Sequence, residues 1–348
     1  MGLFSRSHPA TSRPTPLDGI DVVLADLDGV VYAGPGALPY AVESLNEVAT
    51  TRRVGYITNN ASRTDASVAE HLTSLGLTVE ANEVVTSPQA AMRLLASIVP
   101  APATLLIVGG EGLVVEAEKA GYTITRSAED APDAVVQGFA PEVAWTDLAE
   151  AAFALKVPEE EGGIPWIATN SDWTIPQARG IAPGNGTLVS AVHTAVGRLA
   201  TVAGKPEVPI FEEAIARFGA TKTLFIGDRL DTDIMGAARV GIDSVLVLTG
   251  IDRPKHLLAA PEGSRPTYIL GDLRELHEPY PQTERKDGAV TVNGASVRVV
   301  GGDVEILSEG SRQIDLVRAG ATAIWESGTP VFVLRVPEKL YEDPFHRP

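Results

Sequence analysis

The sequence predicts an α/β protein built on parallel sheets, with a small α+β unit appended near its C-terminal end. Three observations carry this reading. Between residues 20 and 270, short apolar runs alternate with helix-like patterns. At 348 residues the chain exceeds one average domain, so two or three are expected. After residue 276 the composition turns polar and proline-containing, and closely spaced strand-like runs follow.

Apolar runs at residues 21–25, 53–57, 105–108, 134–136, 165–168, 223–226 and 243–248 read as buried strands. Helix-like segments at 40–50, 65–75, 113–120 and 209–218 fall between them. Strand then helix, repeated, implies parallel sheets covered on both faces, because each parallel crossover lays a helix on the sheet. Ligands bind beyond the carboxyl ends of such strands, so polar residues directly after the apolar runs are where chemistry is expected. Residues 277–288, with Pro279 and Pro281, read as a linker. Strand-like runs at 289–292, 296–300 and 304–307, a helical pattern at 312–326 and a last strand at 330–336 complete the appended unit.

Charge and composition narrow the function. Lys and Arg number 28 against 45 Asp and Glu, and the net charge of −17 argues against nucleic acid or an anionic membrane as partner. An acidic chain that handles an anionic substrate needs a local positive centre, such as a bound cation. Cysteine is absent, which removes thiol catalysis and thiolate metal sites and fits a cytoplasmic location. The longest uncharged stretches, 94–110 and 180–197, are broken by Pro or Gly and do not read as membrane spans. Residues 1–16 have no apolar core of a secretory signal and read as a loose arm. No pair among the six His residues has metal-ligand spacing, which argues against a zinc hydrolase.

Four segments carry candidate chemistry. In Asp26-Leu27-Asp28-Gly29-Val30-Val31-Tyr32, two carboxylates follow a buried strand and can divide labour. One can attack phosphorus while the other protonates the leaving oxygen; Gly29 suits the tight turn between them. An acidic strand-end loop explains the same residues equally well. Thr58-Asn59-Asn60 follows the next strand and could hydrogen-bond a phosphoryl oxygen, but Asn60 or Ser62 could simply cap the following helix. Gly204-Lys205-Pro206 could place an ammonium against phosphate and nucleophile together, or be a solvated Lys before a helix. It is not a P-loop, since Leu199 and Pro206 break that pattern.

Gly227-Asp228-Arg229-Leu230-Asp231-Thr232-Asp233 is the strongest single hint of a magnesium site. Three acids in six residues repel one another unless a cation intervenes. A helix N-terminus that favours acids explains Asp231 better than Asp228. If each of the four segments stands behind a strand of one parallel sheet, they meet at a single edge, and the joint reading is far more specific than its parts.

In order, these segments resemble the motifs of haloacid dehalogenase-like (HAD) phosphohydrolases, and specifically the NagD-type subfamily. The resemblance spans residues 17–276. It implies a Rossmann-like parallel-sheet core (17–86 and 184–276) interrupted by an α/β cap at 87–183; Thr58 and Lys205 are 147 residues apart, which leaves room for it. It implies Asp26 as nucleophile, Asp28 as general acid/base, and Thr58, Asn59, Asn60 and Lys205 around the phosphoryl group. Mg²⁺ would be held by Asp26, the Asp28 carbonyl and Asp228, with Asp233 one layer behind. Ala61 departs from the Ser that many relatives carry there. Asn170, Asp172 and Arg179 resemble cap residues that face the substrate, although turn chemistry also explains the first two.

The tail, residues 289–348, resembles the acetyltransferase-like (GNAT-like) domain fused to some bacterial members. Arg318-Ala319-Gly320-Ala321-Thr322 does not make a coenzyme A loop, so the expectation is a packing role or a homodimer contact. Core, cap and tail together are most similar to bacterial glycerol 3-phosphate phosphatases. The expected activity is Mg²⁺-dependent hydrolysis of a small phosphorylated metabolite through an aspartyl phosphate. A dehalogenase needs no acid partner, since halide leaves unprotonated; Asp28 therefore favours phosphoryl transfer. Another monoester (phosphoglycolate, a nucleotide or pyridoxal phosphate) and a phosphate-binding regulatory role are the alternatives.

Overall fold

The computed structural model describes residues 14–177 and 179–345; most of the expected N-terminal arm lies outside the described residues. Six parallel strands form the first sheet, in the order Tyr268–Leu270, Asp243–Val247, Thr223–Gly227, Val22–Ala25, Arg53–Thr58, Val84–Thr86. Val22–Ala25 lies at the centre and is buried along its whole length. Successive strand residues point to opposite faces, which decides the packing. Val23, Ala25, Val54, Tyr56 and Leu224 pack with Leu45, Val48 and Leu72 from helices Ala41–Ala49 and Asp65–Ser74. Val22, Leu24, Ile57 and Phe225 face the other way, onto Phe211 and Phe218 of helix Val208–Phe218. Helix Asp65–Ser74 is capped by Thr64, whose hydroxyl accepts from the Ser67 N–H at 3.2 Å, and not by Asn60 or Ser62.

A second parallel sheet has five strands, Thr201–Val202, Trp166–Ala168, Ala134–Gln137, Thr104–Val108 and Thr123–Thr125. It continues past residue 183, where the sequence reading closed the cap. Helix Asn185–Val196 buries Val192 against Leu106, Val108 and Val135 of this sheet, and Thr201–Val202 pairs with Trp166–Ala168. One apolar cluster joins the two sheets, running from Leu24 and Ile57 through Ala91 and Leu95 to Leu105 and Val136. The second sheet is therefore fixed upon the first.

The C-terminal unit is a four-stranded antiparallel sheet, Thr283–Lys286, Ala289–Val292, Ala295–Val300 and Asp303–Glu309, backed by helix Gln313–Glu326. Part of the expected linker is thus a strand. Its turn, Asp287-Gly288, has both residues at positive φ, as has Asn293-Gly294 in the next hairpin. Asp-Gly and Asn-Gly are the sequences that two-residue hairpins favour. The expected last strand is not one: Val331–Val333 is a short 3-10 turn, and only a bridge between Asp303 and Arg335 remains. No helix among the described residues is long and apolar enough to cross a membrane.

Helix Gln313–Glu326 has two apolar faces. Leu316, Ala319 and Ala323 pack on the antiparallel sheet, while Ile314, Val317 and Ala321 pack on Leu230, Ile234, Leu246 and Ile269. Between the faces, Arg318 is buried. It donates to the Ile269 carbonyl at 2.9 and 2.6 Å and pairs with Asp315 at 2.8 Å and with Glu275. Ile269 belongs to an edge strand of the six-stranded sheet, so the helix and its guanidinium cover an edge that would otherwise be open to pairing. Residues 318–322 form part of this helix and no loop, in keeping with the reading that they are not a coenzyme A site.

Replacing Arg318 with Met should leave buried Asp315 without its cation and Glu275 with Arg312 alone, and lower stability by about 3 kcal/mol. Urea denaturation followed by circular dichroism checks this; an unchanged midpoint would show that the buried Arg318 pairs add no net stability.

Candidate active site

The central strand Val22–Ala25 delivers Asp26 to the carboxyl edge of the sheet, with the Asp26 N–H donating to the Ile226 carbonyl at 2.8 Å. Its neighbour Thr223–Gly227 delivers Asp228 and Asp233 to the same edge, and Arg53–Thr58 delivers Thr58. Lys205 arrives differently. It follows Thr201–Val202 of the second sheet, so the four segments do not all stand behind strands of one sheet. The chain instead returns from the second sheet and crosses the mouth of the first.

There the Lys205 ammonium lies 2.6 Å from Asp26 Oδ1 and 2.7 Å from Asp233 Oδ1. Oxygens of Asp26, Asp228 and Asp233 all lie within 4.8 Å of one another, and all four side chains are buried. Three carboxylates against one ammonium leave an excess of negative charge in a largely buried region. Such an arrangement favours a divalent cation. Individual oxygens show where one would bind. Asp233 Oδ2 accepts from the N–H groups of Asp228 and Arg229, each at 3.1 Å, and Oδ1 faces Lys205. Asp233 Oδ1 has that ion pair but no hydrogen bond of its own. Asp228 Oδ2 accepts from the Ile251 N–H at 2.6 Å, but its Oδ1 is buried with no hydrogen-bond partner. An orphaned buried carboxylate oxygen beside a second carboxylate is what a cation would satisfy. The donor set fits Mg²⁺, an oxygen-seeking ion.

Electrostatics report the same crowding. Burial, reinforced by Asp233 and opposed by Lys205, pushes the Asp26 carboxyl up to about 7. Burial and the neighbouring carboxylates hold Asp228 well above the ordinary range. Burial works against the Lys205 charge, yet Asp233 and Asp26 outweigh it and raise its pKa. Asp28, two residues on from Asp26, is exposed, yet nearby protein still desolvates its carboxyl and raises its pKa.

Backbone closeness explains two glycines. A Cβ on Gly29 would come within 2.2 Å of Asp228 Oδ2, and one on Gly250 within 1.8 Å. The loop holding Gly250 was not singled out from the sequence. It follows strand Asp243–Val247, carries Thr249 and Asp252, and holds both Asp228 and the Leu230 N–H (2.6 Å to Asp252 Oδ2). A polar stretch directly after an apolar run was the signal that could have found it.

Other expected contacts turn out to be braces. Asn59 Oδ1 accepts from the Lys205 N–H at 2.8 Å, while its Nδ2 donates to the Lys205 carbonyl and to Asp172 Oδ1, each at 3.1 Å. The Asn59 carbonyl accepts from Ser87 and from Asn170 Nδ2, each at 2.7 Å. Asn59 thus ties four separate segments together rather than presenting its amide to a ligand. Asn170 is buried in that knot, with its Oδ1 accepting from the Asp172 N–H at 3.2 Å. Asn60 is exposed, and its Oδ1 accepts from the Ser62 N–H at 2.9 Å, forming a local turn. Thr58 is buried, its hydroxyl accepting from the Asn60 N–H at 3.1 Å. Asp172 is half-buried beside Asn59, with its pKa raised by burial. Arg179 lies exposed between the hairpin strands Thr174–Gln177 and Gly180–Pro183 and makes no ion pair with any described residue.

Known proteins share this architecture. A family model described as haloacid dehalogenase-like hydrolase matches residues 23–123, and a second HAD-like model matches residues 202–276. The chain is 43% identical over 317 residues to D-glycerol 3-phosphate phosphatase of Mycobacterium tuberculosis, covering 88% of this chain and 86% of that protein. It is 33% identical over 253 residues to acid sugar phosphatase of Staphylococcus epidermidis, covering 72% and 94%. A crystal structure of the M. tuberculosis glycerol phosphate phosphatase in complex with magnesium superposes with a TM-score of 0.83 at 41% identity, over 92% of this chain and 94% of that one. A p-nitrophenyl phosphatase from Archaeoglobus fulgidus gives 0.67 at 28% identity, over 74% and 98%. With the carboxylate cluster at the sheet edge, two matching family models and a relative 43% identical over 88% of the sequence, the chain belongs to the haloacid dehalogenase-like hydrolase family.

Proposed function

We propose that this chain is a Mg²⁺-dependent phosphomonoester hydrolase whose substrate is glycerol 3-phosphate. The observation that carries the reading is the orphaned Asp228 oxygen beside an Asp26 carboxylate that Lys205 holds from the other side. Asp26 attacks phosphorus, and the bond from phosphorus to the ester oxygen breaks. Asp28 gives its proton to the departing alkoxide, which leaves as the alcohol. Asp28, now a carboxylate, takes a proton from water; that water attacks phosphorus, restores Asp26 and releases phosphate. Lys205 reduces the repulsion between the anionic nucleophile and the anionic substrate, and Thr58 stands at the same edge to donate to a phosphoryl oxygen. Mg²⁺ bound by Asp26, Asp228 and the Asp28 carbonyl would supply further charge neutralisation at phosphorus.

The alcohol portion is argued from the whole chain. The glycerol 3-phosphate phosphatase matches almost the full length, tail included, whereas the acid sugar phosphatase matches 72%. A 5′-nucleotidase of Bacillus subtilis is 33% identical over 72% of this chain, which keeps a nucleotide as the second reading. A cytoplasmic location belongs to the same proposal and suits a chain without cysteine. Comparing kcat/KM for glycerol 3-phosphate with phosphoglycolate, nucleoside monophosphates and pyridoxal phosphate tests the choice; a clear preference for any other member would overturn it.

Asp26→Asn should abolish phosphate release while the melting temperature stays close to that of the parent protein. Wild-type turnover in that variant would remove Asp26 from the nucleophile role. Asp228→Asn should raise the Mg²⁺ concentration for half-maximal rate about tenfold or more, measured by titration after chelation.

The charge crowding also sets a pH dependence. In the metal-free protein the Asp26 carboxyl has a folded-state pKa of about 7, above its ordinary 3.8. The folded state therefore holds a proton that the unfolded chain releases. Its stabilising contribution is complete below about pH 4 and is lost as pH rises through 7. Chelated protein should accordingly show this group's contribution declining across that window. Mg²⁺ should stabilise more at pH 7.5 than at pH 5, because at low pH it must displace the proton. Melting temperatures with and without Mg²⁺ at the two pH values provide the check.

A further inference from the structure

We propose that Tyr32 is a positioning residue for Asp28, its phenol holding the carboxyl in the attitude needed to reach the leaving oxygen. The inference rests on Asp28 being the proton donor, as proposed above. Asp28 is exposed, so its two side-chain torsions are not fixed by packing. Among the described residues, the one side chain that hydrogen-bonds its carboxylate is Tyr32, whose hydroxyl donates to Oδ2 at 3.4 Å. Hydrogen bonds of this length in ligand-free active sites often shorten in the substrate complex.

Two features fix the phenol itself. The backbone from Leu27 to Tyr32 is a closed loop: the Tyr32 N–H donates to the Leu27 carbonyl at 3.2 Å, and the Gly29 N–H donates to the Tyr32 carbonyl at 2.9 Å. Tyr32 then enters a small hairpin, Tyr32–Ala33 with Gly36–Ala37. The ring also meets His71 of helix Asp65–Ser74 edge to face, with centroids 5.1 Å apart and planes at 72°. The hydroxyl is thus carried by a ring held at its root and at its edge. A carboxyl tethered to it samples fewer orientations than a free surface Asp, and alignment of this kind contributes directly to the rate.

Leaving-group chemistry separates such positioning from plain structural support. Glycerol leaves as an alkoxide that must be protonated, whereas p-nitrophenolate leaves without a proton. The ratio kcat/KM reports steps up to cleavage of the ester bond. Tyr32→Phe keeps the ring and its His71 contact and removes only the hydroxyl. It should lower kcat/KM for glycerol 3-phosphate about tenfold and that for p-nitrophenyl phosphate less than about twofold. Asp28→Asn should show the same bias more strongly. If Asp28→Asn affects both substrates equally, the assignment of the proton donor fails. If Asp28→Asn shows the bias and Tyr32→Phe does not, the role given to Tyr32 is overturned. His71→Ala, which frees the ring edge, should show a weaker bias of the same sign. Should Tyr32→Phe fold poorly by melting temperature, an equal loss on both substrates in His71→Ala would overturn the inference instead.

Discussion

The ammonium of Lys205, wedged between Asp26 and Asp233, is the interaction on which the rest of the site depends. Carboxylates this close and this buried would otherwise protonate or separate. One Lys is too little for three of them, and that shortfall gives the site its affinity for a divalent cation. In the proposed mechanism the same charge is set against Asp26 and, across it, against the anionic phosphate. Stability of the empty site and readiness to accept metal and substrate are therefore opposed. A family that works on phosphate esters tolerates strain of this sort because the ligand relieves it.

Placing Lys205 is a task for the whole architecture. It comes from the strand that ends the second sheet, so its position is only as good as the docking of one sheet on the other. Asn59 provides the local register by clipping both backbone polar groups of Lys205 and reaching Asp172 from the same amide. The apolar cluster through Ala91 and Leu95 provides the larger one. Residues that look in sequence like phosphate contacts are thereby spent on holding the lysine in place. The loop after Asp243–Val247 does the equivalent for Asp228, which leaves one of its oxygens free.

The C-terminal unit extends this frame. Its helix packs on Leu230 and Ile234, which flank Asp233, so the segment bearing the carboxylate paired with Lys205 is backed by the tail. In the same helix the buried Arg318 satisfies an edge-strand carbonyl of the catalytic sheet. These contacts make the unit a structural extension of the sheet rather than a loosely tethered neighbour.

By itself the sequence determined four of the six strands of the first sheet, because apolar runs such as residues 22–25 and 224–226 are buried on both faces; the short edge strands Val84–Thr86 and Tyr268–Leu270 offer only three residues each and were not legible. It also determined which acids follow those strands, since strand ends and polar residues are adjacent in the chain. The hairpin strand Thr283–Lys286 was read as part of a linker: Asp287-Gly288 marks its turn, but the charges of Glu284, Arg285 and Lys286 on an edge strand masked it. Only the tertiary structure decided that Lys205 enters from the second sheet, that helix Asn185–Val196 belongs to that sheet, and that Asn59 and Asn170 are braces. An amide's partners are chosen by segments more than a hundred residues away, as with Asn59 and Lys205, and no local pattern encodes that choice.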